Sequence, residues 1–162
     1  MVSDDESLLS GLSDHKIEFV LVGAMAAIIR GAPFTTLDVD IVHHRSPENL
    51  QRLHAWLLSI DAHFRGRPAS QRLTPTLNHL DTPGHVLLRT ALGPLDILGA
   101  IEGGADYDWL VARSTSVTVF NRTLLVPTME TLIELKRQGT RPEDPLKLLQ
   151  LEATLAAGKS RS

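Results

Sequence analysis

The sequence has no cysteine, and aromatic residues make up only 4% of its 162 residues. The lack of cysteine excludes disulfide bonds and thiolate metal sites, and it suits a reducing compartment, so we expect a cytoplasmic protein. The scarcity of aromatic residues argues against a surface on which bases stack in series. No apolar run approaches the roughly 20 residues that a membrane span requires, so we expect no membrane partner. The N-terminal segment is acidic, which is unlike a secretory signal.

The chain also carries little net charge, -3 at pH 7. It therefore lacks the positive field that draws a protein to polyanions, and any nucleic acid must meet a local basic patch. A length of 162 residues with 43% hydrophobic residues suits one domain with its own core. We expect this single domain to span 1–162, with its core at about 17–157 and a frayed tail at 158–162.

Strand-like and helix-like segments alternate along the chain, which predicts an α/β fold. Strands are predicted at 17–22, at 36–42, twice within 85–100, and as a hairpin at 114–127. Helices are predicted at 5–13, 24–30, from Ser46 onward, 104–112, from Thr128 to about 138 and from Pro142 to about 157. We therefore predict a mixed sheet of about five strands flanked by helices, with further helices at the C-terminal end.

Two aspartates, Asp38 and Asp40, lie one residue apart in the predicted strand "TLDVDIV". Side chains two residues apart in a strand point the same way, so both carboxylates project from one face. Their neighbours Leu37, Val39 and Ile41 project from the other face. Taken alone, the D-x-D pattern is more typical of an edge strand that faces solvent.

Two adjacent carboxylates repel each other, and a bound divalent cation relieves that repulsion. Mg²⁺ prefers hard oxygen ligands, often one or two carboxylates together with substrate phosphates. A further carboxylate, Asp96 in "PLDIL", lies on another predicted strand. It would complete a pocket for two metal ions roughly 3.5–4 Å apart.

A turn of small residues, Gly23-Ala24, separates the first predicted strand from the helix that follows it. Helix N-termini present unpaired N–H groups to anions, and glycine lets a phosphate approach the backbone closely. Such a turn is common and is usually no more than a turn. The D-x-D that follows fifteen residues later makes it more specific.

Three segments of the chain resemble the nucleotidyltransferase superfamily, which has the polymerase-β-like fold: "FVLVGAMAAIIRGAPFTTLDVDIV", "LGPLDILGAI" and "VPTMETLIELKRQGTRPEDPLKLLQLE". The closer resemblance is to small bacterial AbiEii-like and related minimal nucleotidyltransferases, many of them toxin-like. It implies a metal-dependent transfer of a nucleoside monophosphate from an NTP to a hydroxyl group. RNA, in particular tRNA, is the first acceptor that it implies, with a protein or a small molecule as alternatives. An antitoxin or another partner chain is also implied.

The resemblance further implies roles for individual residues. Asp38 and Asp40 would bind Mg²⁺, while Asp96 would bind the second ion and help to deprotonate the attacking hydroxyl. Residues of the first turn and of a C-terminal helix would contact the nucleotide: Gly23, Ala24 and Lys136, with Arg141 and Asp144 in support.

The sequence departs from the family pattern at two positions. Ala24 replaces the usual serine or glycine, and Phe34 stands where many AbiEii-like members have arginine. These departures support a second hypothesis, in which the chain keeps the fold without activity and acts as a binding or toxin–antitoxin interaction module. Lys136 has a structural interpretation as well, that of a solvated helix residue.

Residues 64–76, with two prolines and three arginines, are predicted to form a mobile loop. Arg65, Arg67 and Arg72 could hold phosphates there, but we favour the simpler interpretation that they keep the loop soluble.

Overall fold

The structure is a computed structural model that describes residues 3–36 and 38–160. Within these ranges the strands are β1 (Phe19–Val22), β2 (Val39–His43), β3 (His63–Phe64), β4 (His85–Thr90), β5 (Gly93–Leu98), β6 (Ser114–Val119) and β7 (Arg122–Pro127). The α-helices are α1 (Asp4–Asp14), α2 (Gly23–Ile29), α3 (Pro47–Ser59), α4 (Leu77–Leu80), α5 (Tyr107–Val111), α6 (Met129–Arg137) and α7 (Asp144–Ser160). None of the helices in the described ranges combines the length and the apolar character that a membrane crossing requires.

The strands form one sheet in the order β3-β4-β5-β2-β1-β7-β6. Two neighbouring pairs are parallel, β1 with β7 and β2 with β5, and the remaining pairs are antiparallel. The predicted mixed sheet between helices is therefore confirmed. The predicted number of about five strands is wrong, because the described residues form seven. One cause is β3, a strand of two residues at the start of the arginine-rich segment that is predicted to be a loop.

Local signals account for several helix ends. The Ser46 hydroxyl accepts a hydrogen bond from the Asn49 amide at the start of α3, and Thr128 does the same for Thr131 at the start of α6. Helix α7 continues to Ser160, so residues 158–160 of the expected tail are helical. Arg161, Ser162 and the Leu37 of the predicted second strand lie outside the described residues.

The two faces of the sheet are covered unequally. One face bears the main core, where Leu21 and Ile41 are completely buried against helices that include α1 and α3. The other bears a smaller apolar cluster around Val20, Val42 and Leu110. The strand registers place Asp40 on this second face, directly beside Val22. A carboxylate can therefore lie within the sheet without entering the main core.

Candidate active site

The turn after β1 brings the backbone against one of the predicted aspartates. Gly23, at the start of α2, has φ +72, a conformation that side chains disfavour. A Cβ at Gly23 would also overlap Oδ2 of Asp40, because β1 and β2 are paired with Val22 opposite Asp40. The backbone angle therefore favours glycine at position 23, and the close approach of Asp40 leaves little room for a side chain there.

The D-x-D motif lies at the beginning of β2. Asp38 precedes the strand and is exposed, and its amide donates a hydrogen bond to the Thr36 hydroxyl at 3.1 Å. Asp40 lies within the strand and is half-buried, while Val39 and Ile41 are completely buried on the opposite face. The strand period therefore separates Asp40 from these apolar neighbours in the predicted way.

Asp96 lies beside Asp40 on the neighbouring strand. Strands β2 and β5 run parallel with Asp40 aligned to Asp96, so both carboxylates occupy the same face of the sheet. The Asp96 side chain is only 16% exposed. Its Oδ1 accepts a hydrogen bond from Nη2 of Arg65, which also donates to the Leu88 carbonyl oxygen at 3.1 Å. The interpretation of Arg65 as only a solubilising loop residue is therefore wrong.

The neighbourhood of Asp40 strongly favours its protonated form. Burial is the largest cause, and it raises the pKa of Asp40 to about 7 together with the side-chain contact to Asp96 and the negative charges of Asp96 and Asp38. The positive charge of Arg65 opposes this shift. Oδ1 of Asp40 is buried and has no hydrogen-bond partner in the described part of the chain. A buried, unpaired carboxylate oxygen is costly, and a cation or a proton removes that cost.

These oxygen atoms suit a hard divalent cation. Asp38 and Asp40 offer carboxylate ligands of the kind that Mg²⁺ prefers, and the unpaired Oδ1 of Asp40 still lacks a partner. However, no three His, Asp or Glu side chains within residues 3–36 and 38–160 are arranged as a complete metal-binding group. The third carboxylate, Asp96, already forms an ion pair with Arg65.

A cavity of about 500 Å³ opens beside the D-x-D motif. It is lined by seven of the eight residues to which the resemblance gives a role in the site: Gly23, Ala24, Asp38, Asp40, Lys136, Arg141 and Asp144. Asp96 lies next to Asp40 but outside the lining.

Lys147 also lines the cavity, and sequence analysis missed it. No motif marks this lysine. The one usable signal is that Lys147 follows Asp144 by about one turn of α7, a spacing that puts two side chains on neighbouring parts of a helix surface. That signal is weak, so only the packing of α7 reveals that Lys147 reaches the cavity.

The cationic side of the cavity is organised by Asp144, which is only 3% exposed. Its Oδ2 accepts a hydrogen bond from the Arg141 amide at 2.9 Å, and its Oδ1 lies 3.3 Å from Nζ of Lys136. Burial by itself raises the pKa of Asp144, but the Arg141 amide and Lys136 outweigh it and hold this pKa below its ordinary value. Lys136 therefore takes part in a partly buried ion pair between α6 and α7 and is not a freely solvated helix residue.

Arg30 does not replace the arginine that the family pattern has at the position of Phe34. Its guanidinium donates to the carbonyl oxygens of Val126 and Pro127 at 2.7 and 2.9 Å, so it anchors α2 to β7. Phe34 itself lines the cavity. This departure from the family pattern therefore places an aromatic ring, and no positive charge, at the cavity wall.

Comparison with solved structures shows which known proteins share this fold. The lincosamide antibiotic adenylyltransferase LnuA, in its lincomycin-bound form, matches with a TM-score of 0.60 and 16% identity over 94% of this chain and 98% of LnuA. The chain has a nucleotidyltransferase fold. TM1012 of Thermotoga maritima, a proposed nucleotidyltransferase, matches with a TM-score of 0.54 and 16% identity over 98% of this chain and 94% of TM1012.

A third structure with the nucleotidyltransferase fold is the antibiotic-resistance factor ANT(2'')-Ia. It matches with a TM-score of 0.52 and 12% identity over 98% of this chain and 90% of that protein. No protein-family model matches the chain, and no curated protein sequence does so either. The shared property is therefore the fold, and the narrower resemblance to AbiEii-like proteins stays a prediction.

Proposed function

We propose that this chain is a metal-dependent nucleotidyltransferase, which transfers a nucleoside monophosphate from an NTP to a hydroxyl group. The observation that carries the proposal is the half-buried carboxylate of Asp40. It lies against Gly23, has an unpaired oxygen and lines a cavity that also contains cationic side chains. A cation bound to the carboxylates and a polyphosphate that reaches the cationic side would use all of these features.

Mg²⁺ is the proposed cofactor, and Asp38 and Asp40 would hold it. When bound, Mg²⁺ would neutralise the negative charge on the phosphate oxygens. The NTP would lie in the cavity, with Gly23 and Ala24 facing its triphosphate. Lys136 is held by Asp144, so Arg141 and Lys147, which line the same cavity, are the better placed to meet phosphate oxygens.

The proposed reaction is an in-line displacement at the α-phosphorus of the NTP. The acceptor hydroxyl oxygen forms a bond to the α-phosphorus, and the bond from that phosphorus to the oxygen bridging to the β-phosphorus breaks. Pyrophosphate leaves with the electron pair of the broken bond. Asp96, aligned with Asp40, would take the hydroxyl proton on Oδ2, because Oδ1 is engaged by Arg65.

The proposed acceptor is RNA, with tRNA first, and a protein hydroxyl or a small molecule is the alternative. LnuA, which has the same fold, is an adenylyltransferase of lincosamide antibiotics, so a small hydroxylated molecule belongs among the acceptors to be tested. We further propose that the protein is a cytoplasmic, AbiEii-like and toxin-like component, which an antitoxin or another partner chain would accompany.

The test is incubation of the purified protein with Mg²⁺ and each α-labelled NTP, together with total cellular RNA, total protein or a lincosamide. We expect label in one acceptor fraction and release of pyrophosphate. Asp40→Asn should abolish both. The matched control is Asp61→Asn, which changes an exposed aspartate paired with Arg72 and should leave labelling unchanged. Labelling of no fraction, or equal labelling by Asp40→Asn, would contradict the proposal.

A second candidate function is an interaction module that keeps the fold without transfer activity. Leu146 and Leu149 favour it, because they are 63% and 64% exposed and lie three residues apart on α7. Neighbouring apolar side chains on an exposed helix face are typical of contact surfaces. This hypothesis predicts that neither Mg²⁺ nor any NTP stabilises the protein.

A further inference from the structure

Arg65 belongs to a row of residues that crosses the sheet. Its amide donates to the Leu87 carbonyl oxygen at 2.9 Å, so it continues the pairing of β3 with β4 by one residue. Leu87 pairs with Asp96, and Asp96 aligns with Asp40. The positive side chain therefore begins immediately after the edge strand β3 and ends at the carboxylate that lies next to the D-x-D motif.

Both ends of Arg65 are held. The Arg65 amide donates a hydrogen bond to the Leu87 carbonyl oxygen, and Nη2 donates to Oδ1 of Asp96 and to the Leu88 carbonyl oxygen. The Arg65 side chain is 28% exposed, so water screens this contact less than it screens an ion pair in open solvent. Nε of Arg65 is buried, and no acceptor for it exists among the residues that the structure describes.

We propose that Arg65 takes the place of the second metal ion, so that the site binds a single divalent cation at Asp38 and Asp40. This inference rests on the proposed function. The two ions of a two-metal site lie about 3.5–4 Å apart, so a second ion would need a carboxylate beside the first site, and Asp96 is the carboxylate adjacent to Asp40. The guanidinium already neutralises Asp96 and supplies N–H donors in place of metal coordination.

Counting bound Mn²⁺ by electron paramagnetic resonance tests the inference without measuring activity. The protein is titrated with Mn²⁺ in the presence of an α,β-methylene analogue of each NTP, which cannot undergo transfer. We expect one bound Mn²⁺ per chain in the wild-type protein. Arg65→Ala should bind two, because Asp96 is released. Arg65→Lys should still bind one, because it retains the charge.

The matched control is Arg67→Ala, which removes an exposed arginine of the same loop whose Nε donates only to the Gln71 carbonyl oxygen among its described contacts. It should bind one Mn²⁺, like the wild-type protein. Two ions in the wild-type protein, or one ion in a folded Arg65→Ala variant, would overturn the inference and leave the proposed function intact. The number of Mn²⁺ ions bound by the wild-type protein tests the single-cation site even if Arg65→Ala does not fold. Absence of bound Mn²⁺ from the wild-type protein would contradict both.

Discussion

Gly23 lies so close to Asp40 that a single methyl group on the glycine would overlap Oδ2 of the aspartate. The contact joins the turn after β1 to the carboxylate of β2. It brings together the two short motifs, a glycine at a strand end and a D-x-D on the next strand. The turn leaves room for the carboxylate, and the carboxylate faces the cavity that the turn lines.

Replacement of this glycine tests the contact. Gly23→Ala adds backbone strain at φ +72 and an overlap with Asp40, so we expect a loss of about 2–4 kcal/mol in the free energy of unfolding. Gly104 has φ +79 and nothing near its Cβ position, so Gly104→Ala should lose only about 1 kcal/mol. Urea denaturation measures both values. Equal losses would show that the overlap with Asp40 has no energetic effect.

The raised pKa of Asp40 predicts how stability depends on pH in the absence of metal. The Asp40 carboxyl ionises near pH 3.8 in the unfolded chain and near pH 7 in the folded protein. Its contribution to the free energy of unfolding is therefore fully present below pH 3.8 and is lost as pH rises to about 7. Asp40→Asn cannot ionise. Relative to this variant, the free energy of unfolding of the wild-type protein should fall by about 1–3 kcal/mol between about pH 5 and about pH 8.

The measurement is urea denaturation of both proteins in EDTA at the two pH values. Titrating groups that do not interact with Asp40 are common to both proteins and cancel in the difference. If the difference in unfolding free energy stays constant with pH, Asp40 has an ordinary pKa and its burial imposes no cost.

The partly buried pair of Lys136 and Asp144 is expected to stabilise the fold whether or not nucleotide binds. Lys136→Met leaves a buried carboxylate without its cation and should cost about 1–3 kcal/mol. The control, Arg137→Met, breaks the adjacent pair with Glu152, in which the arginine side chain is 63% exposed, and should change stability by less than about 0.5 kcal/mol. Thermal or urea denaturation without ligands distinguishes the two. Similar small effects would show that Lys136 is free for another role.

Much of the candidate site could be predicted because it depends on short-range rules. The period of a strand puts Asp40 on the face opposite Val39 and Ile41, and a glycine ends β1 where the chain must turn. The resemblance supplied what spacing could not, namely that Lys136 and Asp144, far along the chain from Asp40, line the same cavity.

The long-range features could not be predicted. Strand β3 has only two residues, too few for a periodic pattern, so its pairing with β4 depends on the tertiary structure. Arg65 immediately follows this strand, and its contact with Asp96 exists only because three strands align in register. In the sequence, Arg65 cannot be distinguished from Arg67, which shares its loop and remains exposed.

The most direct test of the central claim, that Asp40 and its cavity bind a metal–nucleotide complex, is a thermal-shift titration with Mg²⁺ and each of the four NTPs. A ligand that binds only the folded state at 100 times its Kd stabilises it by about 2.7 kcal/mol, a shift of several degrees. We predict this shift for at least one NTP in the wild-type protein when Mg²⁺ is present, and none in Asp40→Asn. No shift with any NTP, or an equal shift in the variant, would contradict the claim.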